Sequence, residues 1–305
     1  MAILQTYADG NRLEDVMLSV IMMTPTDTPF ISGIAKTRAK NTYHQWPEDS
    51  LAARTGDASS TVVEGAAYSY SAPTAPSRRG NVTQIVARQY SVSSTERWVQ
   101  GAGVDDAWTY SQQKALMELG NVMEHVYLRS SFHSGNASVA RRMAGAMNFV
   151  TTNATAVATG TTLSESFFNG LGELCYAQGG RPNEVYVGQR LKRNISAFTG
   201  GATKNVASED KRLTLSTDVY ESDFGIMKII LSRDIAAQSS GLNDNDILVI
   251  DSRKFRMAIG EPAHIVPDVA QSVHGTQGVV RFEGTLEVLG EAHNAKATAL
   301  ASTLV

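Results

Sequence analysis

The chain has 305 residues, with 27 Lys and Arg against 30 Asp and Glu, so its formal net charge is only −3. This near balance excludes a strongly basic nucleic-acid binder, and a hydrophobic content of 42 % excludes a chain that is disordered throughout. No run of about 18 apolar residues occurs, so we expect no membrane-spanning helix. A single cysteine, Cys175, cannot form an internal disulfide.

Small residues are frequent: Ala, Gly, Ser and Thr account for 115 of the 305 positions. Charged residues make up only 19 % of the chain, below the roughly 25 % of an average soluble domain. Because charged side chains are costly to bury, this composition suits a protein whose surface lies against other protein.

The first forty residues are predicted to form a short amphipathic helix and an extended arm. Apolar residues recur at helical spacing over residues 10–23, and Pro25 and Pro29 then break any helix. Residues 41–80 have no sustained period of either kind and are rich in Ser, Ala, Gly, Thr and Pro. Segments of this length without an element are usually functional or project outward, so we expect a projecting segment here.

Alternating apolar residues predict a strand over residues 81–93, and the longest helix follows it. This helix is predicted over about residues 105–133, with Asp105 and Asp106 at its start and Arg129 near its end, charges that suit the helix dipole. Its apolar stripe is predicted to contain Trp108, Ala115, Leu116, Leu119, Val122, Met123, Val126 and Tyr127. Residues 125–164 contain no Asp or Glu.

The rest of the chain mixes helix and strand without a regular βαβ alternation, which predicts the α+β class. A second helix is predicted over about residues 164–178, ended by Gly179 and Gly180. Strands are predicted at 184–188, 213–220, 226–231, 246–251 and 279–288, and a short basic helix with Arg190, Lys192 and Arg193 follows the first of them.

Motifs that would indicate an enzyme do not occur. The sequence contains no glycine-rich phosphate loop and no HExxH, CxxC or GxSxG pattern. The six histidines are scattered, so a zinc site would have to be assembled by the fold. Cys175 lies on the apolar side of the second helix and is interpreted as a buried structural thiol. We therefore predict a protein that is not an enzyme and has no catalytic residues, no metal and no cofactor.

Several segments, taken in order, carry a resemblance to a known family. They are Thr28-Pro29-Phe30, His44-Gln45-Trp46, Glu64-Gly65, Asn81-Val82-Thr83-Gln84-Ile85, the helix bearing Tyr110 and Glu118, and Val219-Tyr220-Glu221-Ser222-Asp223-Phe224-Gly225. Over about residues 25–295 the sequence resembles the major capsid (major head) proteins of tailed bacteriophages, the Hong Kong 97-type capsid fold family. The order and spacing of the segments carry the resemblance, since no one motif is diagnostic.

This resemblance implies an α+β capsid fold with an N-terminal arm, an extended β-hairpin loop, a peripheral domain with a long spine helix, and an axial domain. The spine helix is the one predicted over about residues 105–133. The segments are expected at 1–40 for the arm, 41–92 for the extended loop and flanking strand, 93–155 for the peripheral domain, 156–252 for the axial domain and 253–305 for the return to the peripheral domain.

The resemblance also implies a function: a structural protein that self-assembles into hexamers and pentamers forming an icosahedral shell around double-stranded DNA. The implied partners are other copies of the chain, a portal protein, scaffold and decoration proteins where the shell uses them, and packaged DNA bound without sequence specificity. No membrane is involved, and the expected location is the virion, with the host cytoplasm before assembly. The main alternative is an encapsulin-like nanocompartment shell, which shares the fold but encloses cargo enzymes; a β-rich adhesin or tail component and a hydrolase with a dispersed site are more distant ones.

Four residues are candidate inter-subunit contacts under this interpretation, because aromatic and apolar anchors dominate interface energetics. They are Trp46, Leu51, Val62 and Val63. For each of them, packing within its own subunit is the alternative.

Three arginines of the acid-free stretch, Arg129, Arg141 and Arg142, are candidate genome-facing residues. DNA contact through them would be independent of sequence and screened by salt. The alternative is that these arginines pair with acids elsewhere in the chain.

Some members of the family that this chain resembles cross-link their shells through a lysine of the extended loop and an asparagine of a neighbour. No lysine occurs between Lys40 and Lys114. That chemistry cannot use the loop of this chain, so we predict a non-covalent shell.

Overall fold

A computed structural model of the chain describes residues 24–51, 61–68, 70, 72–99, 104, 106–156, 161–198, 218–235, 245–267 and 274–301. The helix predicted over residues 10–23 lies outside these residues, as do Asp105 and positions 213–217 of one predicted strand.

The described residues contain six α-helices and twelve strands. The helices are α1 Pro29–Gly33, α2 Ser94–Trp98, α3 Ala107–Arg129, α4 Ala146–Phe149, α5 Glu165–Ala177 and α6 Gln189–Ser196. The strands are β1 Ala35–Arg38, β2 Tyr43–Glu48, β3 Ser77–Val82, β4 Gln84–Ser93, β5 Ala154–Ala156, β6 Glu184–Val187, β7 Val219–Ser222, β8 Gly225–Leu231, β9 Ile247–Ile250, β10 Phe255–Pro267, β11 Gly275–Val288 and β12 Ala295–Thr298.

The strands form three sheets with mixed pairing. A six-stranded sheet has the order β5-β12-β9-β6-β8-β7, a four-stranded sheet has the order β1-β10-β11-β4, and β2 pairs with β3 alone. β6 runs parallel to β8 and antiparallel to β9, and β1 runs parallel to β10 with Ala35 opposite Arg256. Mixed sheets combined with helices that are not regularly interleaved confirm the predicted α+β class.

The six-stranded sheet holds a large apolar cluster. All four residues of β9 are fully buried, because a continuous apolar run suits a strand that is covered on both faces. Phe168 and Leu171 of α5 and Leu191 and Ile195 of α6 complete this cluster. The predicted second helix, the strand at 184–188 and the strand at 246–251 are all confirmed to within one residue at each end.

The long helix α3 starts two residues after the predicted start and ends four residues before the predicted end. Asp106 caps it, since its Oδ1 accepts from the Trp108 N–H at 3.1 Å and its Oδ2 from the Thr109 N–H at 3.2 Å. The hydrogen bond from the Thr109 hydroxyl, followed by the one from the Trp108 N–H, lowers the pKa of the Asp106 carboxyl. The helix has 23 residues, a length of about 35 Å. It stops at Arg129 because residues 133 and 142 pair with each other through their backbones instead of continuing the helix.

The buried stripe of α3 is narrower than the predicted one. It follows a row at four-residue spacing through Ala115, Leu119, Met123 and Tyr127, and the buried Glu124 and Leu128 lie beside this row near the end of the helix. Leu116 was expected in this stripe but is half exposed, because it lies beside the row.

The described residues group into two compact units. The first holds those of segments 1–27, 87–121 and 263–281, and in it the rings of Tyr90 and Trp108 lie 4.8 Å apart. The second holds those of segments 28–86, 122–262 and 282–305, and it contains the six-stranded sheet and the β2–β3 hairpin.

Candidate functional site

A two-stranded hairpin carries the segment that the sequence predicts to project. β2 and β3 pair over six residues each, from Tyr43 opposite Val82 to Glu48 opposite Ser77. Every described residue between positions 49 and 76 is exposed. The segment therefore has little support from its own chain, which is typical of a surface that acts on other molecules.

Charged side chains hold the hairpin in one orientation. Arg79 of β3 places Nε 3.1 Å from Oε2 of Glu48 across the hairpin and its terminal nitrogen 3.5 Å from Oε2 of Glu291. The second oxygen of Glu48 accepts from the Gly290 N–H at 3.1 Å. These contacts fix the direction in which the exposed segment leaves the hairpin.

Glu291 is a buried carboxylate with several hydrogen-bond donors around it. The N–H groups of Thr151 and Thr152 donate to Oε1, and the Thr152 hydroxyl donates to Oε2 at 2.8 Å. Burial raises the pKa of this carboxyl, but the hydrogen bonds from Thr152 and Thr151 and the charge of Arg79 outweigh burial and leave the pKa below its usual value. Glu291 is thus ionised at neutral pH and holds Arg79 by charge.

Trp46 lies within the packing of its own chain. Its side chain is buried, its ring stacks on Phe149 with centroids 5.8 Å apart, and its indole N–H donates to Oε1 of Glu48 at 3.2 Å. Packing within its own subunit, the alternative stated for this residue, therefore describes Trp46. We do not retain it as an inter-subunit contact, because both its ring face and its N–H are already used.

The other three candidate contacts are apolar side chains in water. Leu51 is 99 % exposed, Val63 is 79 % exposed and Val62 is 54 % exposed. The Ala66 N–H donates to the Val63 carbonyl at 3.0 Å and closes a turn. Gly65 occupies this turn with a φ of +82°, a conformation that favours glycine.

Two tyrosines of the same segment were missed by the sequence reasoning. Tyr68 and Tyr70 are both largely exposed. Tyrosine is enriched at protein interfaces because it combines a large apolar ring with a polar end. Two tyrosines in a segment that is rich in small residues were the available signal.

The three candidate genome-facing arginines have different surroundings. Arg129 forms an ion pair with Asp246, and Arg141 places its terminal nitrogen 3.1 Å from Oε1 of Glu283. Arg129 and Arg141 thus each pair with an acid of the same chain, as the stated alternative describes, and genome contact through them stays a prediction. Arg142 is exposed, and within the described part of the chain its guanidinium has no acidic partner.

Helix α1, near the end of the arm, is held by a residue that the sequence did not single out. Glu124 of α3 is fully buried, and its two oxygens accept from the N–H groups of Phe30 and Ile31 in α1 at 2.7 and 2.9 Å. Burial raises the pKa of Glu124 to about 7 although these two hydrogen bonds lower it, and the nearby charge of Asp234 raises it further. The clue in the sequence was that an acidic residue, Glu124, follows Met123 directly within the apolar stripe of the helix.

The described residues show neither a metal-binding cluster nor an exposed thiol. Among them, no group of three or more His, Cys, Asp or Glu is placed to hold a metal ion. Cys175 is buried as predicted, and burial raises the pKa of its thiol to about 12, so the thiol is protonated at neutral pH and is a poor nucleophile. None of the described helices is both long and apolar enough to cross a membrane.

Solved structures with the same fold span nearly the whole chain. A structure from Mycobacterium phage Ogopogo aligns with a TM-score of 0.67 at 14 % identity, covering 97 % of this chain and 99 % of that one. A structure from Gordonia phage Cozz gives 0.66 at 10 % identity, with 97 % and 98 % covered. The capsid of an empty GTA particle, computed with C5 symmetry, gives 0.63 at 12 % identity, with 97 % and 98 % covered. The fold is the α+β Hong Kong 97-type capsid fold.

The sequence itself defines the family. The family profile of the SU10 major capsid protein matches residues 3–301. The chain belongs to this family of phage major capsid proteins, so it is a structural component of a phage capsid and its place is the virion. No curated protein sequence gave a match.

Proposed function

We propose that copies of this chain assemble into hexamers and pentamers that form an icosahedral shell around double-stranded DNA. The exposed apolar segment of Leu51, Val62 and Val63, on a hairpin held by Arg79, carries the proposal. Burial of apolar surface against a neighbour stabilises by about 25 cal/mol per Å², so these side chains favour association. Contacts of this kind are heterologous and repeat around closed rings.

The elements then take the roles that the family resemblance implies. The arm of residues 1–40 includes α1 and β1, and the extended loop of 41–92 includes β2 and β3. The peripheral domain of 93–155 is built on α3 as its spine helix, the axial domain of 156–252 includes α5, α6 and β6–β9, and residues 253–305 return through β10 and β11 to the peripheral domain.

The shell would bind its DNA without reading its sequence. Among the candidates Arg129, Arg141 and Arg142, Arg142 has no acidic partner within the described residues and is the first choice for phosphate contact, which is screened by salt. A portal protein, and scaffold and decoration proteins where the shell uses them, would be further partners, and the subunits would reside in the host cytoplasm before assembly. Similarity to GTA capsids computed with C5 symmetry supports five-fold vertices.

Electron microscopy of the purified chain and of native particles tests this proposal. We expect closed shells with hexameric and pentameric capsomers, and nuclease-resistant DNA inside native particles. Shells that hold protein cargo and no DNA would support the encapsulin-like alternative instead. A chain that stays monomeric at high concentration and catalyses a reaction would contradict assembly altogether.

A further inference from the structure

An open apolar groove lies where the hairpin ends. It has a volume of about 460 Å³, within the range of about 300–1,000 Å³ that ligand sites occupy. Ile85 and Val139 in its lining are 52 % and 41 % exposed. The lining residues are Ile85, Ser134, Gly135, Asn136, Val139, Ala140 and Arg141.

The wall of this groove is rigid because local hydrogen bonds hold it. The backbones of His133 and Arg142 exchange hydrogen bonds of 2.9 and 3.0 Å and close the loop between them. Within the loop, Oδ1 of Asn136 accepts from the N–H groups of Ser138 and Val139 at 2.9 and 2.8 Å. A surface held in one shape before binding loses little entropy when a partner arrives.

We propose that this groove receives Val62, Val63 and Glu64 of a second copy of the chain. The inference rests on the proposed function and names the surface against which the exposed loop packs. The two valines match the apolar lining of Ile85 and Val139. Glu64 is the one charged residue in the described stretch 61–68. Arg141 is the one charged residue lining the groove, and its charge is opposite to that of Glu64.

Arg141 can bind a second carboxylate at this position. Its guanidinium has five N–H donors in a fixed plane, and its contact with Glu283 uses one terminal nitrogen. The contact with Glu283 fixes the side chain, so its remaining donors face a neighbour without a large loss of side-chain entropy. A carboxylate on these donors would form charge-assisted hydrogen bonds.

The geometry of the hairpin favours a second copy over the chain's own loop. The loop leaves the hairpin at the Glu48–Ser77 pair, five residue steps from the Tyr43–Val82 pair beside the groove, or about 17 Å. In the structure Val62 and Val63 are exposed, and so is Ile85, so the loop does not fill its own groove. The groove and the loop are therefore both open to another chain, and a contact between them would be heterologous.

Disulfide trapping between two populations of chains tests this contact. One population carries Val63→Cys and the other Val139→Cys, and the two are assembled together. The native Cys175 is buried and stays out of the reaction. We expect a disulfide-linked dimer from assembled particles on a non-reducing gel, and its loss on reduction. The matched control replaces Val139→Cys by Ile226→Cys, which is exposed on β8 outside the groove and should give no dimer.

Each outcome has a defined meaning. Particles that form without the dimer overturn the inference and leave the proposed function intact, whereas failure of the unmodified chain to form particles contradicts the proposed function. If Val63→Cys chains do not assemble, Val62→Cys takes their place with the same expectation. A chain that carries both Val63→Cys and Val139→Cys and closes a disulfide within itself overturns the inference, because its own loop then fills the groove.

Discussion

The backbone N–H of Phe30 donates to Oε1 of Glu124 at 2.7 Å and joins residues that are 94 positions apart in the chain. Ile31 donates to the other carboxylate oxygen at 2.9 Å, so one buried side chain fastens the start of α1 to α3. The pKa of this group is raised to about 7. The arm is therefore held by a group that changes its charge near neutral pH.

The charge of Glu124 should make stability depend on pH in a defined direction. Its native pKa of about 7 lies above the usual 4.5, so between these values the native state binds a proton that the unfolded state releases, and the contribution of this group to stability falls as pH rises. Glu124→Gln removes the titration. The free energy of unfolding of the wild type minus that of the variant should decrease from about pH 5 to about pH 8 in urea titrations of the dispersed subunit. The exposed Glu173→Gln should show no such trend, and a difference that rises with pH would refute this assignment.

Glu291 should show the opposite dependence. Its native pKa is below the usual 4.5, so its contribution to stability is present above that pH and is lost as the pH falls through the native value. Glu291→Gln leaves donors at Thr151 and Thr152 short of an acceptor and should cost about 1–3 kcal/mol at neutral pH. Urea titrations from about pH 7 to about pH 3 should show the stability difference shrinking. A constant difference would mean that charge plays no part.

Two glycine substitutions should have opposite effects. Gly135 has a φ of +82°, and a Cβ there would collide with the Arg141 side chain, so Gly135→Ala should cost about 1–2 kcal/mol. Gly120 lies inside α3, where a Cβ meets nothing within 4 Å, so Gly120→Ala should stabilise by about 0.5–1 kcal/mol. Thermal unfolding of both variants checks the pair. Equal shifts of the same sign in the unfolding temperatures of the two variants would contradict the roles assigned to the backbone conformations of Gly135 and Gly120.

The shell should be held together without covalent bonds between chains. No lysine occurs between Lys40 and Lys114, so the loop has no amine for an isopeptide bond. Mature particles heated in detergent should therefore run as one band at the mass of the single chain, 32.8 kDa. A ladder of heavier bands that persists under reducing conditions would contradict this.

The elements that could be predicted are those whose pattern is local. The strand β9 could be predicted because its four apolar residues form a continuous run, which is typical of a strand buried on both faces. The helix α5 could be predicted because its apolar residues recur at helical spacing, which is typical of a helix buried on one face. β1 has no such signal: its residues are mostly exposed, and its partner strand lies more than two hundred residues later. The end of α3 was overestimated since the backbone pairing of His133 with Arg142 is not visible in helical periodicity.

The surroundings of a candidate side chain could be predicted where they do not depend on a distant residue of the chain. They could not be predicted where they do. Leu51 and Val63 are exposed as their loop context indicates. The burial of Trp46 could not be predicted because an aromatic side chain fits an interface and a core equally well, and Phe149, on which it stacks, is about a hundred residues away. The same holds for Arg129, whose partner Asp246 is 117 residues distant.

The parallel pairing of β1 with β10 constrains when the subunit can be completed. Ala35 and Arg256 lie opposite each other, and at about 5–20 residues per second a ribosome adds the second strand roughly ten to forty seconds after the first. Pairing over such a separation is also slow to form. A nascent chain thus cannot finish its four-stranded sheet until most of it has been synthesised.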